Sequence, residues 1–212
     1  MKVKKSNAYD KKYADQNYYW GKKPSVMCDT IMQIMGSNGK FRPRLLDLGC
    51  GEGRNAVYFA KHGFEVVGLD ISAVGLEKTK KYAEEEGVQV RTVHADINDY
   101  QLTEVYDVIF STGTLHYLSP KIRRQKFQNY KSHTSPNGIN VMSVFVKKPF
   151  IPRAPDADEN AFFFKSGELL GYYWDWEILF CTEEIFDCMS SGIPHKHAVN
   201  RIIARKHSNR EL

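Results

Sequence analysis

Long apolar runs are missing from this chain. None of its segments approaches the roughly 20 residues that a membrane-spanning helix needs, and this excludes an integral membrane protein of the helical kind. The first dozen residues are polar and lysine-rich, without the apolar stretch of a secretory signal. Cysteine is scarce too. Cys28, Cys50, Cys181 and Cys188 are the four present, and none forms a C-x-x-C pair. They read as free thiols of a reducing compartment, so a cytoplasmic location is expected. There is no internal repeat and no low-complexity linker, which predicts one domain for the 212 residues. The dinucleotide fingerprint G-x-G-x-x-G, the N-P-P-Y type motif of base-modifying enzymes and a nucleophilic triad are also absent.

Charge is present in modest excess, at +5. Lys2, Lys4, Lys5, Lys11 and Lys12 form one basic cluster near the start. Lys121, Arg123, Arg124, Lys126 and Lys131 form a second within one predicted helix. Few aromatics interleave with these cations. A solvated helix face and a tail are therefore expected, and nucleic acid is not expected as a partner.

The apolar pattern alternates between strand and helix. Residues 1–23 are polar and aromatic, with Tyr13, Tyr18, Tyr19 and Trp20. A helix is predicted from Pro24, stopped by Gly36-Ser37-Asn38-Gly39. Strands are predicted at 45–48, 65–70, 88–93, 106–110 and 139–146. The helices between them cover 55–62, 72–86 and a stretch from about 120 to the turn Ser135-Pro136-Asn137-Gly138. Such alternation predicts an α/β fold, a doubly wound and mostly parallel sheet. Residues 147–161 hold three prolines and read as a functional loop. A short helix is predicted at 166–173. Strands at 176–182 and 200–205 have no evident helix between them, which predicts an antiparallel hairpin at the sheet edge.

The informative segment is Asp47-Leu48-Gly49-Cys50-Gly51-Glu52-Gly53-Arg54-Asn55. It follows a strand and opens a helix, and its glycines allow a ligand close to the backbone. The G-x-G-x-G spacing differs from the dinucleotide pattern. An anion at Asp47 repels a pyrophosphate and suits a ligand carrying an ammonium and a sulfonium. Asp70 ends the next strand, where a carboxylate accepts both hydroxyls of a ribose. Asp96 ends the third, within reach of an adenine amino group. Ligands of open α/β sheets bind beyond the carboxyl ends of strands, where all three acids fall.

These motifs resemble those of the class I S-adenosylmethionine-dependent methyltransferases: LLDLGCGEGRN, VVGLDIS and HADIND occur in that order over about residues 40–147. The resemblance implies a single-domain, Rossmann-like, seven-stranded sheet ending in an antiparallel hairpin, with S-adenosylmethionine as cofactor. It divides the chain into a lid segment, 1–23, and a methyltransferase domain, 24–212. That domain comprises a core, 40–147, and an acceptor-side cap and hairpin, 148–206. It places Gly49, Cys50 and Gly51 against the methionine moiety, Asp70 on the ribose, and Asp96 with Ile97 at the adenine. Asp47, Asn55, Ile71, Ser111 and Thr112 complete the cofactor set, with Trp20 closing over it as an aromatic lid. FKSGELLGYYWDWEI at 164–178 and IIARK at 202–206 are similar to the tellurite-resistance methyltransferases, which act on tellurium and selenium oxyanions and some thiols. That family carries a His-Arg pair in its last hairpin, and here Phe186-Asp187 stand near those positions.

The acceptor is expected beyond the fourth strand, at Ser111-Thr112-Gly113-Thr114-Leu115-His116-Tyr117-Leu118. The lack of N-P-P-Y argues against a nucleobase amine. His116 is the candidate catalytic residue, as general base or as orienter of the acceptor. Tyr117, His195 and His197 are the candidate substrate residues. His195 and His197 point to one side if extended. A metal there needs a third ligand, for which His116 is the candidate, and no metal is assigned. The expected activity is methyl transfer to a small molecule by in-line displacement, with a thiol or chalcogen oxyanion as acceptor, in a monomer or homodimer. The alternatives are a macromolecule, tRNA or protein, as acceptor, and a non-catalytic cofactor-binding module.

Overall fold

The computed structural model describes residues 8–36, 42–155, 157–189 and 192–208. Lys2, Lys4 and Lys5 of the first basic cluster, and Ser37-Asn38-Gly39 of the predicted helix stop, lie outside them. By contacts the chain divides into two compact units, residues 1–100 and 101–212.

Among the described residues of the first unit a short helix comes first, α1 (Ala8–Tyr13), within the stretch read as a polar and aromatic lid segment. Next comes α2 (Met27–Met35), whose buried face is Met27, Cys28 and Ile31. It starts after Pro24 because Ser25 forms a turn instead: its hydroxyl accepts from Met27 N–H at 3.4 Å and its carbonyl from Cys28 N–H at 2.9 Å. Three parallel strands follow, β1 (Arg44–Leu48), β2 (Glu65–Asp70) and β3 (Val90–His94). They are linked by α3 (Arg54–Lys61) and α4 (Ala73–Glu85). Leu45, Leu46, Leu48, Val66, Val67 and Leu69 are buried with Phe59 and Leu76 of the helices. Side chains of this kind contribute about 1.5–3 kcal/mol each on burial. Ser72 caps α4 as predicted, its hydroxyl accepting from Gly75 N–H at 3.0 Å.

The second unit holds β4 (Tyr106–Thr112), the 3₁₀ turn Leu115–Tyr117, α5 (Arg123–Ser132), β5 (Thr134–Val146), α6 (Glu168–Gly171) and the strands β6 (Glu177–Cys188) and β7 (His195–Arg205). β4 and β5 are parallel, and β7 is antiparallel to both β5 and β6. The seven strands form one sheet in the order β3-β2-β1-β4-β5-β7-β6, the α/β architecture and terminal hairpin expected from the sequence. Strand β5 and both hairpin strands are longer than read. The Ser135–Gly138 turn does not precede β5 but is absorbed into it, where the register slips opposite Tyr106 and Val108. Asn137 takes a left-handed φ of 62° there. The hairpin strands extend to Cys188 and from His195, through residues whose polarity on this exposed edge masks the alternation.

The basic helix is not a solvated face. Arg123, Lys126 and Lys131 are buried, and only Lys121 and Arg124 of the cluster are exposed. Arg123 donates to Glu168 at 2.7 Å, to the Leu118 carbonyl at 3.3 Å and to the Phe162 carbonyl. Its guanidinium also lies 3.7 Å from the centre of the Phe164 ring. The Lys131 ammonium pairs with Asp175 and donates to the Tyr172 carbonyl at 3.2 Å. Residues 162–176 thus fold over α5, with Tyr172 stacked on Phe127 at 4.2 Å. Arg123→Ala is expected to lower stability by about 3–5 kcal/mol, because Glu168 and two carbonyls lose a buried donor. The check is the denaturant midpoint; an unchanged midpoint would show that the pair contributes nothing.

Candidate active site

The first unit gathers one group of functional side chains around the turn from β1 into α3. Gly49, Gly51 and Gly53 have φ of 82°, 56° and 88°, left-handed values that a Cβ disfavours. The turn is stitched to the end of β2: Gly49 N–H and Cys50 N–H donate to the Leu69 carbonyl at 2.7 and 3.0 Å. Cys50 is seated against Gly68, where a Cβ would stand 2.8 Å from its sulfur. Burial raises the Cys50 thiol well above its ordinary value and that of Cys28 to about 12, so neither serves as a thiolate nucleophile.

Asp47 is 1% exposed, and its Oδ2 has no hydrogen-bond partner. Burial, helped by the neighbouring Asp70 charge and opposed by Arg54, pushes its pKa up to about 7. The sequence reading took Asp47 as a plain anion; in the fold it is poised between charged and neutral. Asp70 is also buried. Its Oδ2 accepts from Gly51 N–H and its Oδ1 from Ser72 N–H, both at 2.8 Å. Burial raises its pKa, against these hydrogen bonds. Ile71 follows with its side chain 43% exposed, an apolar surface at the strand end. Asp96 is half-buried, with Oδ1 accepting from Asn98 N–H at 2.8 Å, and Ile97 is buried. Asn55 directs its Oδ1 to Ser25 N–H at 2.8 Å and to the Cys28 thiol at 3.5 Å, anchoring the start of α2.

Two residues here escaped the sequence reading. Tyr13 is buried, and its hydroxyl lies 2.9 Å from where a Gly51 Cβ would be. Burial and the Asp70 charge hold that phenol un-ionised. Glu52 is buried, pairs with Lys78 at 2.7 Å and accepts from Trp20 N–H at 3.4 Å. Trp20 donates from its indole to Tyr13 at 3.3 Å, and its carbonyl accepts from Arg54 at 3.4 Å. The N-terminal aromatics are therefore tied to the glycine turn by hydrogen bonds, a link with no local sequence signal beyond their bulk.

The second unit gathers the remaining candidates. Ser111 is buried and Thr112 half-buried at the end of β4. His116 is 4% exposed, with no partner for Nδ1. Burial pushes its pKa down to about 3; Arg123 and His197 act in the same direction and Asp158 against it. The imidazole is therefore neutral. Aromatic rings surround it: Tyr117 at 4.4 Å, Phe145 at 5.1 Å and Phe163 at 5.9 Å. Phe145 also contacts His197 at 4.7 Å. The loop read at 147–161 brings Phe163 in, because Phe162 N–H donates to the His116 carbonyl at 2.7 Å. His195 and His197 do face each other, with their Nε2 atoms 3.0 Å apart. The side chain grouped with them is Cys188 and not His116.

A model of the family described as tellurite resistance protein TehB matches residues 1–202. The chain belongs to that family. The Haemophilus influenzae protein named probable S-adenosyl-L-methionine-dependent methyltransferase TehB is 31% identical over 166 residues, which are 77% of this chain and 57% of that protein. The chain thus spans less than two thirds of the length of that relative. The crystal structure of TehB from Haemophilus influenzae superposes with a TM-score of 0.76 at 27% identity, covering 93% of this chain and 65% of the other. Magnesium protoporphyrin IX methyltransferase from Synechocystis, solved with bound S-adenosylmethionine, shares the fold. Its TM-score is 0.60 at 15% identity, over 96% of this chain and 86% of the other. Among the described residues no helix is long and apolar enough to cross a membrane.

Proposed function

We propose that this chain is an S-adenosylmethionine-dependent methyltransferase acting on a small molecule, with a thiol as the acceptor class. The observation that carries the cofactor reading is the buried Asp47 Oδ2, a carboxylate oxygen without a partner beside the glycine turn. A buried polar atom of that kind is costly unless a ligand completes it, and an ammonium is the complement of a carboxylate. The residues fit the rest of such a cofactor as well. Asp70 has lone pairs left for ribose hydroxyls after its backbone bonds, and exposed Ile71 and buried Ile97 supply apolar surface for an adenine. When bound, S-adenosylmethionine supplies a methyl group on a sulfonium, already a good leaving group. The named function of the Haemophilus influenzae relative supports the same reading.

The acceptor reading rests on the His116 cluster. His116 is neutral, and Arg123 is already engaged by Glu168 and two carbonyls, which suits a thiol better than an oxyanion. A macromolecular acceptor would need the basic residues of α5 and its approach on the surface, and three of those five, Arg123, Lys126 and Lys131, are buried. The test is release of S-adenosylhomocysteine from the full chain with thiols, tellurite, selenite, amines, hydroxy compounds and tRNA in turn. Turnover with thiols is expected. Turnover with tRNA alone would overturn the small-molecule reading, and turnover with the oxyanions alone would overturn the thiol assignment.

Burial that holds the His116 pKa near 3 makes the ring a weak base, which favours orienting an acceptor over deprotonating it. His116→Phe, which keeps a ring among Tyr117, Phe145 and Phe163, is expected to lower turnover by less than the roughly 10²-fold at which general-base contributions begin. Affinity for S-adenosylhomocysteine should stay unchanged. Full turnover in the variant would remove His116 from the mechanism.

A further inference from the structure

We propose that Cys188, His195 and His197 form a binding site for one borderline-soft divalent cation of the zinc class. The β6–β7 register sets Cys188 directly opposite His195, and His197 lies two residues further along β7, on the same face. The ligand atoms of the three side chains all fall within 4.8 Å of one another. The two imidazole Nε2 atoms are 3.0 Å apart. In a tetrahedral zinc site, with Zn–N of about 2.0–2.1 Å and Zn–S of about 2.3 Å, neighbouring ligand atoms stand roughly 3.3–3.7 Å apart. The cluster needs only small side-chain rotations to meet that geometry.

The orientation of His195 points the same way. Its Nδ1 lies 2.8 Å from the Ile193 carbonyl, an arrangement in which Nδ1 donates. In the neutral ring this leaves the lone pair of Nε2 directed at the cluster. A carbonyl that fixes the tautomer of a ligating histidine is the usual second partner in zinc sites. Two imidazoles and a thiol select a zinc-class cation over magnesium or calcium, which prefer oxygen. Among the described residues the group has three members, which leaves one position of a tetrahedral site for water or an added thiol. Cys188 binds as the thiolate, releasing its proton to solvent on metal uptake.

The experiment uses the full chain, stripped with a chelator and titrated with Co²⁺ and then Zn²⁺. One Co²⁺ per chain is expected, with a thiolate-to-cobalt charge-transfer absorption that Zn²⁺ abolishes by displacement. Cys188→Ser should lose that absorption. His195→Ala and His197→Ala should each weaken Zn²⁺ binding more than about tenfold. Cys181→Ser, at an exposed cysteine on the same strand, should behave as the parent. Thermal unfolding of each metal-free variant checks that the hairpin is intact, and Zn²⁺ should raise the midpoint of the parent and of Cys181→Ser but not of the three ligand variants. Absence of the charge-transfer absorption, its persistence in Cys188→Ser, its loss in Cys181→Ser, or one cation per two chains would each overturn the proposal.

Discussion

Asp47→Asn is expected to stabilise the protein without cofactor at neutral pH and to weaken its affinity for S-adenosylhomocysteine. Both effects come from one buried oxygen. The folded Asp47 has a pKa of about 7 against an ordinary 3.8, because burial disfavours its anion. Between those two pH values the folded state holds a proton that the unfolded chain has released. Stability therefore falls as pH rises through that window, and the full cost, on the order of 4 kcal/mol, is present above it. Asparagine is nearly isosteric and never ionises, so it removes that cost and flattens the pH dependence. It also removes the charge proposed to meet the cofactor ammonium. The loss should be about 2–3 kcal/mol, on the order of a hundredfold in Kd. For the parent, affinity should weaken as pH falls below about 7, where a proton competes with the ligand. Calorimetry and thermal unfolding across pH, on parent and variant, read both effects. Equal affinities would show that the ammonium is held elsewhere.

A second large effect is expected at Asp70. Its carboxylate holds the glycine turn and the entry to α4 together through Gly51 N–H and Ser72 N–H. Asp70→Ala leaves both donors without their acceptor, at about 1–3 kcal/mol each. It also removes the proposed ribose ligand, which should weaken S-adenosylhomocysteine binding by about 2–4 kcal/mol. Asp70→Asn retains one carbonyl oxygen, so it should lose less stability while still binding the cofactor poorly. Unchanged cofactor affinity in both variants would separate Asp70 from the ribose and leave it a purely structural residue.

The contrast between Asp70 and Arg123 shows what a sequence displays and what it conceals. Glycines at fixed spacing, a carboxylate at each strand end and a serine before α4 are local signals, and each depends on its immediate neighbours. Thus the turn, the alternation of strands and helices and the Ser72 cap were legible. Arg123, Lys126 and Lys131 were not. Composition treats a cation as exposed, and the burial of Arg123 and Lys131 depends on Glu168, Asp175 and carbonyls some 40 residues away in sequence. Tyr13 over Gly51 is hidden for the same reason. Cys188 opposite His195 is concealed by register, which a polar edge strand does not declare in its own pattern. Asn55 illustrates the converse: its position in the motif points to a ligand, while the oxygen of its side chain is already committed to Ser25 and Cys28.

The segment after β5 leaves the sheet and returns to it at a fixed point. Lys147 N–H donates to the Phe164 carbonyl and Phe164 N–H to the Phe145 carbonyl, both at 2.9 Å. The excursion between them is therefore a closed loop whose base is fastened to the strand. Changing the length of such a loop costs little, since each doubling adds only about 0.6 kcal/mol of closure entropy. The strand beneath keeps its register whatever the loop contains. Relatives that accept larger or smaller substrates would accordingly differ in how much chain they spool out between these two staples, with the sheet left as it stands.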